Sequence, residues 1–339
     1  MNKKKDIRMI LKAFTWKRFI NVIIITASYL ISLVIKKPIV WGYAPVIMIE
    51  PTNICNLKCP LCPSGTDQLT REKGFMSFEL FKTIIDQVYK HSFMLLLWNQ
   101  GEPFLNPDFI KMIEYANSKK MFLMTSTNAN KLPNSEEIVK SGLDYMIVSF
   151  DGATQDTYNK YRVNGSLETL INNVKSIVKT KKKLNSIYPT LVCQCLAMKH
   201  NEHEIEKIKK FSDDLGFDMF VLKNLQIYSK EDIINFLPEN PKYRRYKVTG
   251  DDFELKYGLK NRCQRIWSQP VINWKGDVSV CCFDKDINYK LGNINNNTFM
   301  EIWKSDKFMS FRRIILKNRS HFDICRNCGE GVSLKIKNK

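Results

Sequence analysis

Short apolar runs alternate with amphipathic stretches along the middle of the chain. The apolar runs predict strands at 46–50, 93–98, 121–127, 145–150, 190–198 and 217–223. Between these runs, apolar residues recur at spacings of three and four, which predicts helices near 77–90, 107–119, 135–141, 167–183 and 202–215. This alternation indicates βα units, an α/β fold and a parallel sheet. Six such units are too few for a closed eight-stranded barrel.

The first 40 residues follow a different pattern. Residues 19–35 carry no charge and are barely long enough for a helix that crosses a membrane. On a helix, Asn21, Ser28 and Ser32 would form a single polar stripe. The pattern fits a hydrophobic N-terminal helix that spans a membrane or lies in its interface. It fits equally a soluble helix that caps the fold.

The chain is strongly basic, with a formal charge of +19 on 339 residues. Lys and Arg crowd residues 1–37, where, together with Trp16, they favour a membrane surface as a partner; elsewhere we interpret them as solvated faces. No basic and aromatic nucleic-acid module is recognisable, so no nucleic acid is expected as a partner. Ten cysteines without a cleavable signal sequence indicate a reducing cytosol and metal ligation. We therefore expect a cytoplasmic protein, either free or associated with the inner face of the membrane.

Three cysteines follow the first predicted strand in a tight loop. Cys55, Cys59 and Cys62 have the spacing C-x3-C-x2-C, and several prolines break regular structure around them. Soft thiolates bind iron–sulfur clusters or zinc. Zinc would need a fourth ligand, and neither His nor a fourth Cys occurs between Ile54 and Lys90. Three thiolates on a [4Fe–4S] cluster would leave one iron free to bind another molecule; the alternative is a zinc knuckle or a chance grouping.

Polar residues stand where the next three predicted strands end. Functional sites of parallel βα folds lie at the carboxyl ends of the strands, so these residues are candidates for a site near the cysteine loop. They are Gly101, Glu102 and Pro103 after the second strand, Thr127 and Asn128 after the third, and Ser149 and Asp151 at the end of the fourth.

Four later cysteines form a second set. Cys263 and Cys281 have the spacing C-x17-C, and Cys325 and Cys328 the spacing C-x2-C. The segment 271–280 predicts a hairpin with a Lys-Gly-Asp turn that leads into Cys281. Four thiolates make a closed set, which fits a [4Fe–4S] cluster held entirely by protein or a structural zinc ion.

The first cysteine loop resembles the signature of the radical S-adenosylmethionine (SAM) superfamily, with Leu61 at its apolar position. The resemblance implies an open, partial (β/α)6 TIM-like barrel, which matches the six predicted units. It also implies that the free iron of a SAM-binding [4Fe–4S] cluster binds the amino and carboxylate groups of SAM. An electron from the cluster would then cleave SAM to methionine and a 5′-deoxyadenosyl radical.

The same resemblance gives roles to the polar residues. The turn formed by Gly101, Glu102 and Pro103 would bind the amino group of SAM. The residues after the third and fourth strands would hold its ribose and carboxylate; they are Thr127, Asn128, Ser149 and Asp151. Arg162 would pair with the carboxylate of SAM, and the alternative is a solvated surface arginine.

The fifth predicted strand carries two different faces. Cys193 and Cys195 share one face, and we interpret them as small apolar side chains in the core. Gln194 takes the opposite face, toward the interior of the implied barrel, where a buried amide needs a partner. A contact between Gln194 and SAM or the substrate is expected.

The C-terminal half resembles the SPASM/twitch extension of radical SAM enzymes. In that pattern a glycine precedes the second cysteine by five positions, so Gly276 assigns Cys281, and not Cys282, as the ligand. No cysteine follows Cys328, which implies one auxiliary [4Fe–4S] cluster, with zinc as the alternative. Such a cluster would accept a second electron and give a net oxidation. Asp284 is a candidate catalytic proton acceptor, or else an exposed carboxylate in a loop.

The patterns divide the chain into five predicted segments. They are a basic, hydrophobic helix at 1–40, a radical SAM core at 41–225, a linker at 226–258, an auxiliary cluster domain at 259–331, and a basic tail at 332–339.

The predicted function is that of a radical SAM enzyme of the oxidoreductase type. Its substrate would be a peptide or protein, or a hydroxylated metabolite or envelope glycan, and its reductant a flavodoxin- or ferredoxin-type protein. The alternative is a non-catalytic Fe–S electron carrier or scaffold, although such a protein has no need of the polar residues at the strand ends.

Overall fold

The structure, a computed structural model, describes residues 11–329. The basic residues that precede residue 11 and the predicted tail at 332–339 lie outside the described residues. The first long helix of the described residues is α1 (Trp16–Ile35). The strands that follow are β1 (Val46–Ile49), β2 (Met94–Leu96), β3 (Phe122–Thr127), β4 (Tyr145–Ser149), β5 (Thr190–Ala197) and β6 (Met219–Asn224). The helices between them are α2 (Phe78–Val88), α3 (Phe109–Ser118), α4 (Ser135–Lys140), α5 (Gln155–Asn159), α6 (Leu167–Lys183) and α7 (Ile205–Leu215).

The remaining elements belong to the second half of the chain. The helices are α8 (Lys230–Phe236), α9 (Arg265–Ser268), α10 (Phe299–Trp303), α11 (Asp306–Lys317) and α12 (Asp323–Arg326). The strands are β7 (Tyr246–Thr249), β8 (Asp252–Leu255), β9 (Val271–Ile272), β10 (Asp277–Ser279) and β11 (Lys290–Asn293).

Strands β1 to β6 lie side by side in chain order, each parallel to the next. This arrangement confirms the predicted α/β fold with a parallel sheet. The predicted hairpin is formed by β9 and β10, which pair antiparallel. β9 also pairs in parallel with the free edge of β1, where Met48 lies opposite Val271. The two halves of the chain therefore share one nine-stranded sheet.

Alternation along the strands places apolar side chains in the core between sheet and helices. Ile47, Leu95 and Leu123 are completely buried there. Cys193 and Cys195 are completely buried in the same core, which confirms their interpretation as apolar side chains.

Helix α1 covers the end of the sheet where the strands begin. The guanidinium of Arg18 donates to the carbonyl oxygens of Tyr89, Lys119 and Lys120, which lie shortly before β2 and β3. The Asn21 amide accepts from the backbone N–H of Tyr43. The helix thus caps the fold at the end opposite the strands' carboxyl ends.

The polar stripe of α1 faces the protein, and most of its apolar residues face outward, although Ile25 is buried. Asn21, Ser28 and Ser32 are buried, whereas Trp16 is 70% exposed and Val34 is 81% exposed. The polar groups satisfy backbone atoms of the following loop; Ser28 Oγ, for example, accepts from the N–H of Trp41 at 3.1 Å. By length and composition alone, α1 is able to cross a membrane, although 28% of its most apolar 18-residue stretch is buried in the protein.

The segment 226–258, predicted as a linker, folds against the cysteine loop. It contains α8 and the antiparallel pair β7–β8. Leu237 and Tyr246 pack in one buried cluster with Leu57 and Cys59. The prolines and the lost periodicity of this segment did not predict such packing.

Candidate active site

The three-cysteine loop turns tightly after β1. The N–H of Cys62 donates to the carbonyl oxygen of Cys59 at 3.1 Å, and the N–H of Gly65 donates to that of Cys62 at 2.8 Å. Cys59 is buried, while Cys55, Leu61 and Cys62 are half-buried against the same apolar cluster. Burial raises the pKa of Cys55 to about 12, so a bound metal would be needed to hold it as a thiolate.

The Gly101 turn lies directly on this loop. Gly101 has φ +74°, and a Cβ atom there would lie 2.5 Å from the carbonyl oxygen of Thr52 and 2.7 Å from that of Ile54. The N–H of Glu102 donates to the Ile54 carbonyl oxygen at 2.8 Å, and Pro103, itself buried, begins a turn of 3₁₀-helix. Only glycine lets the backbone of the turn come this close to the cysteine loop, and this closeness places Glu102 beside Cys55.

Glu102 is the centre of a buried hydrogen-bond network. Its carboxylate accepts from Thr127 Oγ1 at 2.8 Å and from the N–H of Asn128 at 2.7 Å. Burial raises the pKa of Glu102 to about 7. Asn128 extends the network to the cysteine loop, because its amide lies 3.0 Å from Asn56 Oδ1 and 3.9 Å from Cys55 Sγ. In this structure Thr127 and Asn128 therefore hold Glu102, a contact that the sequence did not predict.

A second network joins β4 to the same loop. Arg162 donates from Nε to Asp151 Oδ2 at 2.6 Å, and its Nη1 lies 3.6 Å from Cys59 Sγ. Burial lowers the pKa of Arg162, but Asp151, together with Cys59, Tyr161 and Tyr158, raises it well above its ordinary value. The side chain is only 14% exposed, which excludes the alternative of a solvated surface arginine. Ser149 and Gln194 lie opposite each other on β4 and β5, and Ser149 precedes Asp151 by two residues.

The four later cysteines lie close together, and Cys263, Cys325 and Cys328 lie near the buried cation Arg319. Burial raises the pKa of Cys281, and the neighbouring thiols Cys282, Cys263 and Cys328 raise it further. Burial also raises the pKa of Cys325; Arg319 opposes this rise, and Cys263 and Cys328 increase it. Arg319 Nη2 lies 3.2 Å from Cys328 Sγ. The set thus comes together as predicted, with a guanidinium whose charge favours thiolates.

Cys282 and Asp284 occupy different positions from Cys281. Cys282 Sγ accepts from Arg265 Nη1 at 3.2 Å and is half-buried, which supports Cys281 as the member of the four-thiol set. Asp284 is 1% exposed, and its carboxylate accepts from Ser279 Oγ and from the N–H groups of Asn288 and Tyr289. It is therefore not an exposed loop carboxylate. Its hydrogen bonds hold the turn after Cys281, and its predicted role as a proton acceptor stays a prediction.

Several residues of the site escaped sequence reasoning. Glu50, fully buried at the end of β1, forms a two-pronged ion pair with Arg71, at 2.6 and 2.7 Å. Ser64 Oγ accepts from the N–H of Gly101 and thereby fixes the turn. A carboxylate that ends an apolar strand was a usable signal for Glu50, whereas no local pattern marks Arg71 or Arg319.

Both donor sets fit iron–sulfur clusters. The first offers three thiols and a buried carboxylate, and the second offers four thiols; each lies beside a buried arginine. Within residues 11–329, no three Cys, His, Asp or Glu side chains are close enough to share one metal ion. The thiolates of a four-iron cluster stand farther apart than those around a single ion.

The sequence matches two family models. Residues 49–212 match the radical SAM superfamily, and residues 263–329 match SPASM, an iron–sulfur cluster-binding domain. The matched ranges contain all seven cysteines of the two sets.

Curated proteins of several functions are similar to this chain. The tungsten-containing aldehyde ferredoxin oxidoreductase cofactor-modifying protein of Pyrococcus furiosus is 22% identical over 313 residues, which cover 83% of this chain and 86% of that protein. The Fe-coproporphyrin III synthase of Methanosarcina barkeri is 25% identical over 334 residues, with coverage of 84% and 80%. The mycofactocin maturase MftC of Mycolicibacterium smegmatis is 22% identical over 311 residues, with coverage of 84% and 77%.

Solved structures share the fold. SuiB of Streptococcus suis bound to SAM superposes with a TM-score of 0.61 at 16% identity, covering 87% of this chain and 74% of SuiB. BtrN in complex with AdoMet and 2-DOIA gives a TM-score of 0.52 at 18% identity, with coverage of 86% and 94%. These similarities support the predicted α/β fold with a parallel sheet.

Proposed function

Because this chain belongs to the radical SAM superfamily and carries a C-terminal SPASM domain, we propose that it performs a net oxidation of its substrate. Its cofactors are [4Fe–4S] clusters and SAM. Cys55, Cys59 and Cys62 would hold the first cluster, which would supply the electron for the reductive cleavage of SAM and thereby the radical chemistry that removes hydrogen from the substrate. The observation that carries the proposal is the convergence of Glu102 and Arg162 on the three-cysteine loop.

The chain's own residues position SAM and exclude water. Glu102, held by Thr127 and Asn128, offers a carboxylate to the amino group of SAM. Arg162, fixed by Asp151, offers its remaining N–H donors to the carboxylate of SAM. Ser149 and Gln194 lie side by side next to this pair and face the ribose or the substrate. Buried residues of the segment 226–258, among them Leu237 and Tyr246, pack against the loop from the outside.

The second cysteine set is the part of the protein that would make the reaction a net oxidation. Cys263, Cys281, Cys325 and Cys328 would hold an auxiliary [4Fe–4S] cluster, which would supply an acceptor for the electron left on the substrate after hydrogen abstraction. A flavodoxin- or ferredoxin-type protein would be the reductant of the first cluster. The substrate is a peptide or protein, or else a hydroxylated metabolite or envelope glycan. The first class is supported by the similarity to a maturase, and the second by the outward apolar face of α1.

We also propose that α1 docks this enzyme on the anionic inner face of the membrane. The exposed apolar side chains on α1 and just before it include Phe14, Trp16, Phe19, Ile23, Leu30 and Val34. Lys17, Lys36 and Lys37 are exposed at the two ends of this face, where they complement anionic lipid head groups. Apolar area flanked by cations is the composition that binds an interface, and the inward polar stripe keeps the helix attached to the fold.

Anaerobic reconstitution tests the proposed chemistry. We expect about eight irons per chain, as two four-iron clusters require, and 5′-deoxyadenosine from SAM under dithionite. About four irons or fewer, without 5′-deoxyadenosine, would contradict the two-cluster radical enzyme.

Vesicle flotation tests the membrane proposal. We expect the protein to float with vesicles that contain phosphatidylglycerol, and the double substitution Ile23→Asp and Leu30→Asp to abolish flotation. Ile234→Asp is the matched control, because Ile234 is 60% exposed but lies on α8. Dimers of the wild-type protein that do not float, and that the double substitution makes monomeric, would show that a second copy covers this face instead.

A further inference from the structure

Three cavities lie in a row along one side of α1. The first, of about 250 Å³, is lined by Phe19 and Val22 of the helix. The second, of about 230 Å³, is lined by Val22, Thr26 and Tyr29, and the third, of about 450 Å³, by Tyr29 and Leu33. Each cavity shares a helix residue with the next, so the three form one groove, which we call the α1 groove.

The helix residues of the α1 groove follow the helical repeat. Phe19, Val22, Thr26, Tyr29 and Leu33 are separated by three, four, three and four positions, so they form one continuous stripe beside the buried polar stripe. At a rise of about 1.5 Å per residue this stripe is about 21 Å long. The acyl chain of a lipid spans half of a hydrocarbon layer of about 30 Å, or about 15 Å. The groove is therefore long enough for one acyl chain and a head group.

The opposite wall of the groove belongs to the folded protein. Phe93, just before β2, lines the first and second cavities. Gln264, just before α9, and Ser268, at the end of α9, line the second and third. Trp267 is 1% exposed and lines the second cavity, with its ring centroid 5.3 Å from that of Tyr29. Both walls therefore continue from one cavity into the next.

The lining changes from apolar to polar along the groove. The first cavity is lined by apolar side chains apart from Thr15 and Arg18, and the Arg18 guanidinium donates to four backbone carbonyl oxygens. The third cavity offers the phenol of Tyr29 and the amides of Gln264 and Gln269. An apolar tunnel that ends among hydrogen-bonding groups suits an amphiphilic molecule with one polar end.

The groove is open on the outward side of α1. Phe19 lines the first cavity and is 45% exposed, and Leu30 lines the third and is 54% exposed. A lipid can therefore enter from the side, while the buried polar stripe keeps α1 attached to the fold.

We propose that the α1 groove binds one lipid molecule, with its acyl chain beside Phe19, Val22 and Thr26 and its polar head group in the third cavity. Cys263 also lines the third cavity, so the head group lies next to the second cysteine set. The proposal depends on the groove alone, and neither on radical chemistry nor on flotation of α1 with vesicles. The acyl chain belongs either to a phospholipid or to a free fatty acid, whose apolar parts are alike.

Equilibrium dialysis of the reconstituted holoenzyme against radiolabelled palmitate, below its critical micelle concentration, tests the site. We expect saturable binding of one palmitate per chain. Laurate, which is four methylene groups shorter, should bind at least about tenfold more weakly, because less apolar surface is buried.

Val22→Trp and Thr26→Trp each place an indole in the groove. Each should weaken palmitate binding by about tenfold or more, because the indole takes the place of at least two methylene groups of the chain. Thr26 is exposed, so its replacement disturbs no core packing. Ile23→Trp is the matched control, because Ile23 is 52% exposed and lies outside the lining of the three cavities.

Competition with palmitoyl-lysophosphatidylglycerol distinguishes the two sources. Displacement of palmitate supports the site and a phospholipid source, whereas saturable palmitate binding that the lysophospholipid does not displace supports the site and a fatty-acid source. Absence of saturable binding, which a dimer that closes the groove would also produce, overturns the proposal. Unchanged binding in both groove variants, or an equal loss in Ile23→Trp, overturns it as well, since palmitate would then bind the outward face. Iron content and 5′-deoxyadenosine are measured on every variant, so a failure of folding or of the proposed function is seen separately.

Discussion

Each of the two cysteine sites contains its own buried arginine, but the groups that surround the two arginines differ. Arg162 lies beside Cys59 and is held by the carboxylate of Asp151, within a polar network that reaches Cys55. Arg319 lies beside Cys328 and donates to the carbonyl oxygen of Arg262. The first site offers polar groups to a ligand, while the second supplies four thiols and no network of this kind among the described residues.

The apolar packing around the two cysteine sites differs as well. Cys281 and Cys325 belong to the main apolar core, next to the stacked rings of Phe311 and Phe322, whose centroids are 3.9 Å apart. The three-cysteine loop instead packs in a smaller cluster whose cover comes from the segment 226–258. The comparison indicates that one site is built to admit a ligand and the other to be enclosed.

The largest effects should come from removing one thiol at each site. Cys59→Ala should lower 5′-deoxyadenosine formation by at least about a hundredfold, or about 2.7 kcal/mol or more in activation free energy, and leave about half of the iron. Cys325→Ala should also lose about half of the iron while SAM cleavage persists. Iron content and 5′-deoxyadenosine are measured on both proteins, with Cys282→Ala as the control that keeps all of its iron. Survival of SAM cleavage in Cys59→Ala would show that the open site is assigned to the wrong cysteines.

The two arginines should differ in what their removal costs. Arg162→Leu leaves the fully buried Asp151 without its cation, and we expect a loss of about 3–5 kcal/mol in the free energy of unfolding. Arg319→Leu leaves a carbonyl and thiols, which predicts a smaller loss of about 1–3 kcal/mol. Urea unfolding of the cluster-free proteins measures both. Equal losses would mean that the Asp151 contact adds nothing to the first site.

The regular elements and the cysteine sets could be predicted because their signals are local. The period of apolar residues placed β1 to β6 within a few residues of their bounds, and cysteine spacing identified the thiols that the structure brings together. The cover of the first site could not be predicted in this way. Tyr246 reaches Asn327 at 2.6 Å across 81 residues of chain, and such a contact leaves no periodic signal.

The orientation of α1 depended on the rest of the molecule for a similar reason. Its sequence shows the polar stripe but not which side the protein occupies. Backbone groups of distant loops determine which side of α1 faces the protein; one of them is the carbonyl oxygen of His91, which accepts from Asn21. A buried carbonyl needs a donor, and the polar stripe supplies it, so the apolar face is left outside.

The pH dependence of SAM binding should separate the ligand-binding site from the enclosed one. Burial raises the pKa of Glu102 to about 7, so the carboxyl is protonated below that pH and cannot accept from an ammonium group as a carboxylate does. Between pH 8 and pH 6 we expect the affinity for SAM to fall about tenfold in the wild-type protein, which corresponds to about 1.4 kcal/mol in binding free energy. Glu102→Gln should bind SAM more weakly at pH 8 and show no such fall. Equilibrium titration with SAM at several pH values checks this, and a fall that persists in Glu102→Gln would assign the titration to another group.

The smallest effect should come from a cysteine that belongs to neither site. Cys193 is completely buried between β5 and the helices, so Cys193→Ala removes packed atoms and should cost about 1 kcal/mol in the free energy of unfolding. Because its side chain lies in the apolar core and not with either thiol set, iron content and 5′-deoxyadenosine formation should equal those of the wild-type protein. Both are measured beside Cys59→Ala and Cys325→Ala, prepared in the same way. A loss of iron from Cys193→Ala would break the comparison, since it would show that iron content follows core stability and not the identity of the thiol ligands.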